Sequence, residues 1–236
     1  MRIKSVAAAI AVATIAVSAA PANASLVVYT SRAAFDAVSA HISIDWNVYG
    51  PAGTQISTPD FRTVGGLTFH VASSEGILYR HDEGVDYTGD FALGDHLVTE
   101  ADSLSDSFLV GFDSQTVRGF GMQVEPKLLT GAWNGGIDVY NAANMLIGTV
   151  LISGNKTGAE DNSAPFYGIV STDSDIHFAN FWIDQSYNPN LMPKAGDIAI
   201  NTMDVLVPEP SSLALLATAL MGFLGFAVRR RAVRRI

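Results

Sequence analysis

Not one of the 236 residues is cysteine. Disulfide staples, thiol catalysis and a cysteine-linked lipid anchor are therefore all excluded, and stability has to come from burial and backbone pairing. The chain also lacks the G-x-S-x-G turn of a serine hydrolase. Its five histidines (His41, His70, His81, His96 and His177) show neither the H-x-x-x-H nor the H-x-H spacing that a zinc centre needs. Basic residues are scarce in the middle of the chain. Seven of the 14 lie outside residues 25–207, against one of the 23 acids, so that stretch carries 22 acids and 7 bases, a net charge of −15. Such a surface repels phosphate backbones, which excludes a nucleic-acid partner.

Long apolar runs occur only at the two ends. Arg2 and Lys4 precede an uncharged stretch from Val6 to Ala20, and Ala22-Asn23-Ala24 forms a small-x-small cleavage site before Ser25. This is the layout of a secretory signal peptide over residues 1–24, cut by signal peptidase between Ala24 and Ser25. At the other end Pro208, Glu209 and Pro210 are followed by 18 uncharged residues, 211–228, and then by Arg229, Arg230, Arg231, Arg234 and Arg235. As a helix the uncharged run reaches about 27 Å, close to the thickness of a hydrocarbon core. The arginines of 229–236 keep that end cytoplasmic and leave residues 25–207 on the far side of the membrane.

The order Pro208-Glu209-Pro210, apolar helix and basic end resembles the PEP-CTERM sorting signal of Gram-negative bacteria, here over 208–236. The resemblance implies recognition by an exosortase, a membrane protease-transpeptidase that cuts near the PEP motif. It also implies an inner-membrane-anchored intermediate and then release to the cell surface or extracellular matrix.

Residues 25–207 read as one domain. "SRAAFDAV" predicts a short helix with Ser31 as its N-cap and Ala34, Phe35 and Val38 on one face. After it come about eleven or twelve short runs broken by Gly, Asn, Asp and Pro, the pattern of an all-β, two-sheet β-sandwich of jelly-roll-like type. "VRGFGMQV" alternates, with Phe120, Met122 and Val124 inward and Gly119, Gly121 and Gln123 outward. "GGIDVY" and "MLIGTVLIS" form a hairpin around residues 141–144. "IHFANFWI" changes phase near Ala179-Asn180, as a bulge does. "DIAINTMDVLV" reads as one final strand, and residues 49–59 and 154–165 read as loops. The succession of these motifs from 107 to 206 resembles PEP-CTERM ectodomains with a lectin-like or carbohydrate-binding-module-like sandwich.

No cofactor is expected beyond a candidate structural Ca²⁺. Asp82, Glu83, Asp86 and Asp90 stand within nine residues around Gly84 and Gly89, an oxygen-rich loop of the kind calcium takes. Glu100, Asp102 and Asp106 form a weaker second group. Sugar binding needs an aromatic face beside hydroxyl-binding side chains, and Trp133-Asn134, in what reads as a glycine-flanked loop, is the first candidate. Trp182 and Tyr187-Asn188 are the next, whereas Trp46 reads as core. Catalytic residues are not expected. The sequence thus predicts an exported, non-enzymatic protein of the surface or the exopolysaccharide or biofilm matrix. The alternatives are a carbohydrate-binding module for matrix exopolysaccharide and a secreted glycan hydrolase.

Overall fold

A computed structural model describes residues 25–73, 76–100, 108–113, 115–173, 175–184 and 198–208. The expected signal peptide, Glu209, Pro210, the apolar run 211–228, the arginine cluster, Asp102, Asp106, Tyr187 and Asn188 lie outside these residues. No helix among the described residues is long and apolar enough to cross a membrane.

Strand β1 (Leu26–Tyr29) leads into helix α1 (Arg32–Asp36), then β2 (Ile42–Ile44), a 3₁₀ turn (Trp46–Tyr49) and β3 (Gln55–Ser57). Strands β4 (Asp60–Val64), β5 (Leu67–Ser73), β6 (Ile77–Asp82), β7 (His96–Glu100), β8 (Phe108–Phe112) and β9 (Gly119–Pro126) follow. The long hairpin of β10 (Gly131–Asn141) and β11 (Leu146–Lys156) precedes β12 (Phe166–Ser171) and β13 (Ile176–Asp184). The described chain ends with β14 (Ile198–Ile200) and β15 (Met203–Leu206).

These strands form two antiparallel sheets. One has six strands in the order β11-β10-β13-β8-β5-β4. The other has nine, with β1-β12-β9-β14-β7-β6-β3 as its main path and β15 and β2 joined beside β9. This is the all-β, two-sheet sandwich with one short N-terminal helix that the sequence predicts. The continuous core lies between the sheets. Phe69, Phe108, Phe112, Ile137 and Phe181 come from one side and Phe120, Met122, Val124, Ile200 and Val205 from the other, all essentially inaccessible to water. Trp46 joins them, fully buried, and its indole N–H donates to the Asn201 carbonyl at 2.7 Å.

Four local expectations change. First, β9 alternates as predicted but is buried on both faces. Phe35 of α1 lies over Gly121 and Gly168, where a Cβ would meet its ring atoms at 3.0 and 2.4 Å. Ser31 is the N-cap residue, though its side chain makes no capping hydrogen bond. Second, the register shift in β13 falls opposite Tyr140 and Asn141, at His177, rather than at Ala179-Asn180. Third, the predicted loops are partly strand: β3 lies inside 49–59, and β11 runs on to Lys156.

Fourth, the final strand is broken in two. Strand β14 sits between β7 and β9, and β15 sits between β9 and β2, so both halves share one edge of β9 while their outer neighbour changes. At the break the Asn201 N–H still donates to the Gln123 carbonyl at 3.3 Å, and the buried Asn201 side chain takes over the return bond of the ladder. Its Oδ1 accepts from the Gln123 N–H at 2.9 Å, and its Nδ2 donates to Asp95 at 3.0 Å and to the Gln123 side-chain carbonyl. A buried backbone donor must find a partner, and an asparagine side chain supplies it.

Candidate functional site

Two places combine function-bearing residues with a built geometry: the end of β15 and the outer face of the six-stranded sheet.

Strand β15 carries Met203, Val205 and Leu206 at 0 % exposure, and the Arg118 N–H donates to the Leu206 carbonyl at 2.8 Å. Asp204 is buried and accepts from the Arg32 guanidinium and the Ser43 hydroxyl, with His41 Nε2 at 3.7 Å. Asp36, His41 and Asp204 form the one group of three potential metal ligands among the described residues whose donor atoms all lie within 4.8 Å of one another. Asp204, however, is already held there by Arg32 and Ser43. Val207 packs against the core and Pro208 follows directly, half-buried.

On the outer face of the other sheet, β10 and β13 pair in register: Asn134 opposite Asp184, Gly136 opposite Trp182, Asp138 opposite Asn180, and Tyr140 opposite Phe178. Because side chains alternate across a strand, these rungs point away from the core while Ile137, Val139, Phe181 and Ile183 point into it. The six-membered half of the Trp182 indole covers Gly136, where a Cβ would come within 2.3 Å of it. Its N–H donates to Asp138 Oδ2 at 3.2 Å, and the Thr149 hydroxyl donates to Asp138 Oδ1 at 2.6 Å. Beside the ring lies an open cavity of about 290 Å³ lined by Asn134, Leu151, Ser153, Trp182 and Asp184 among others.

Trp133 requires a correction. It is not in a loop but on β10, 2 % exposed, with its ring against Gly154. The neighbouring glycines serve close packing: a Cβ at Gly135 would lie 2.4 Å from the Trp182 carbonyl. Asn134 points outward, as alternation requires, and lines the cavity beside Trp182 rather than packing with Trp133. The pairing Asn134–Asp184/Gly136–Trp182 was hidden because it depends on register, although a Gly opposite a Trp on a neighbouring strand is a recognisable sign of a ring lying across a sheet.

The four acids of the expected calcium loop do not meet at one point. Asp82 pairs with Arg80, and Asp86 accepts from His81 Nδ1 at 2.9 Å and from the Asp82 N–H at 2.8 Å. Asp90 accepts from the Thr157 hydroxyl and N–H, both at 2.7 Å, and from the Ala159 N–H at 2.9 Å. Burial pushes the Asp90 carboxyl up, but these hydrogen bonds outweigh it and hold the group below its ordinary range. Glu83 is 1 % exposed; its Oε1 accepts from the Gly89 N–H at 2.6 Å and its Oε2 has no partner. Burial, with Glu125 and Glu160 nearby, raises it to about 7 despite the Gly89 hydrogen bond and Lys156. Glu125, also buried, is raised mainly by burial, while Lys156 at 3.4 Å and the Tyr87 hydroxyl at 2.9 Å work the other way.

A family model described as the PEP-CTERM protein-sorting motif matches residues 206–231. The protein is thus a β-sandwich that carries a PEP-CTERM sorting motif at the end of the last described strand, and the motif indicates an exported, exosortase-processed protein. No curated protein matches the chain. Among solved structures the chain is similar to a DUF4465 family protein from Bacteroides caccae ATCC 43185, with 10 % identity and a TM-score of 0.44, over 71 % of this chain and 98 % of that one. A second is CsCBM6-3 from Clostridium stercorarium in complex with cellobiose, with 9 % identity and a TM-score of 0.31, over 67 % and 99 %. A third is a family 6 carbohydrate-binding module, with 14 % identity and a TM-score of 0.24, over 66 % and 95 %.

Proposed function

We propose that this protein is a non-enzymatic component of the cell surface or exopolysaccharide matrix, carried out through an inner-membrane-anchored intermediate and trimmed by signal peptidase and an exosortase. One observation carries the reading: the sorting motif at 206–231 starts at the end of β15, the last described strand of the sandwich. The proposed domain limits are those read from the sequence: 1–24, 25–207 and 208–236.

The test is the intact mass of the protein recovered from outside the cells. A chain starting at Ser25 and ending near Pro208-Glu209-Pro210, with or without an added group, agrees with the proposal. A full-length chain in the cytosol overturns it. A second reading, a module that holds matrix polysaccharide, is favoured by the fixed indole of Trp182 beside Asn134, Ser153 and Asp184.

A further inference from the structure

We propose that the outer face of β10 and β13 is a binding track for an uncharged, linear polysaccharide lying along the strands, a reading that rests on the second of the two above and names its site and ligand class. The register fixes the order of what a ligand meets. Asn134 with Asp184 is a polar rung, Gly136 with Trp182 an aromatic one, Asp138 with Asn180 polar again, and Tyr140 with Phe178 aromatic. Trp182 and Phe178 are four residues apart on one strand, about 13 Å at roughly 3.3 Å per residue. A repeating polymer with apolar C–H faces and hydroxyl edges matches such an alternation, because one face sits on the Trp182 ring, the Tyr140–Phe178 pair borders the chain further on, and the hydroxyl edges bond carboxylates and amides.

The aromatic groups are set in place before any ligand arrives. Gly136 leaves the space that the indole fills, and Asp138 fixes the indole N–H. Tyr140 and Phe178 stack at 4.4 Å between centroids with 9° between planes, so they form a wall across the strands rather than a second flat platform. Preorganised rings lose little freedom on binding. Between them the Asn180 Oδ1 is buried without a hydrogen-bond partner, so at the middle rung it is Asp138, holding the indole N–H, that presents the polar group. On β11, opposite Gly136, Leu151 is 76 % exposed and forms an apolar shoulder to the track. The cavity beside Trp182, about 290 Å³, is at the lower limit of ligand clefts, about 300 Å³. It therefore houses one unit of a chain that continues past it.

Charge selects the polymer. Strands β10, β11 and β13 carry one lysine and no arginine, and that lysine, Lys156, is 4 % exposed and turned away to Glu125 and Tyr87. Asp138 and Asp184 stand on the track within a domain of net charge −15. Uronate-rich and sulfated chains are repelled, as are nucleic acids; neutral hexose polymers are not.

The experiment is affinity electrophoresis of the protein recovered from outside cells through gels containing dextran, hydroxyethylcellulose, mannan or alginate. Expected is retardation by at least one neutral polymer and none by alginate. Leu151→Glu, at an exposed position that leaves folding intact, and Trp182→Ala each weaken retardation at least tenfold with melting temperature monitored alongside. Retardation that survives both substitutions, or that appears only with alginate, overturns the track. So does absence of retardation in the parent by every polymer, including the case where sedimentation shows that Leu151→Glu instead breaks a dimer of two copies. That last result leaves the sorting reading untouched, because the intact mass is measured without any ligand.

Discussion

Glu83 is the residue whose chemistry most clearly departs from a solvated acid. Its folded pKa of about 7 lies above the ordinary 4.5, with burial the main cause. A carboxyl raised in the folded state favours folding fully at pH values below its ordinary pKa, and the contribution is lost as pH climbs toward and through 7. Glu83→Gln keeps the shape and the Gly89 hydrogen bond but cannot ionise. It is expected to raise the melting temperature by a few degrees at pH 8 and to leave it nearly unchanged at pH 5. Equal effects at both pH values contradict the assignment. Trp133 makes the opposite kind of prediction. Buried at 2 % in the core, Trp133→Ala removes a large side chain and costs about 3–5 kcal/mol in urea unfolding. A loss of glycan retention in that variant would therefore reflect folding, whereas Leu151→Glu reads the surface itself.

Elements were legible where their pattern was local. The alternation of Phe120, Met122 and Val124, the hairpin of β10 and β11 and the helix around Phe35 follow from spacing within a few residues. What was not legible depends on partners far away in sequence. Nothing around Asn201 says that the strand leaves β7 and joins β2, because the reason is the exchange between Asn201 and Gln123, 78 residues apart. Trp133 and Trp182 likewise looked alike in sequence, and only register separates a core ring from a surface one. The latch on β15 is of the same long-range kind. Asp204 binds the Arg32 side chain 172 residues away and Ser43 161 away. Asp204→Ala removes the carboxylate shared by the Arg32 guanidinium and the Ser43 hydroxyl and is expected to cost about 1.5–3 kcal/mol, since the Arg32 side chain, 38 % exposed, can turn to water. Removing Arg32 as well should recover part of it in a double-mutant cycle of chemical denaturation; strict additivity means that the pair does not act as a unit.

At the scale of the whole molecule, fold and sorting signal overlap. Leu206 and Val207 belong to the matched motif, yet Leu206 is fully buried and Val207 packs on the core. Strand β15 is hydrogen-bonded on both edges, to β9 and β2, so it cannot offer its backbone to another protein as an exposed edge strand does. A membrane protease acting on the folded chain is therefore confined to residues from Pro208 onward. Two outcomes follow. The trimmed protein should end at or beyond Pro208, since a cut before Leu206 would take away core residues. Inserting a ten-residue Gly-Ser segment between Val207 and Pro208 should speed trimming in a pulse-chase while leaving the melting temperature unchanged, because a flexible spacer frees the substrate without touching β15. An unchanged trimming rate would mean that the sheet places no restraint on the signal. Deleting residues 203–207 should instead abolish cooperative unfolding, as Met203, Val205 and Leu206 leave the core and β2 and one half of the β9 edge lose their partner.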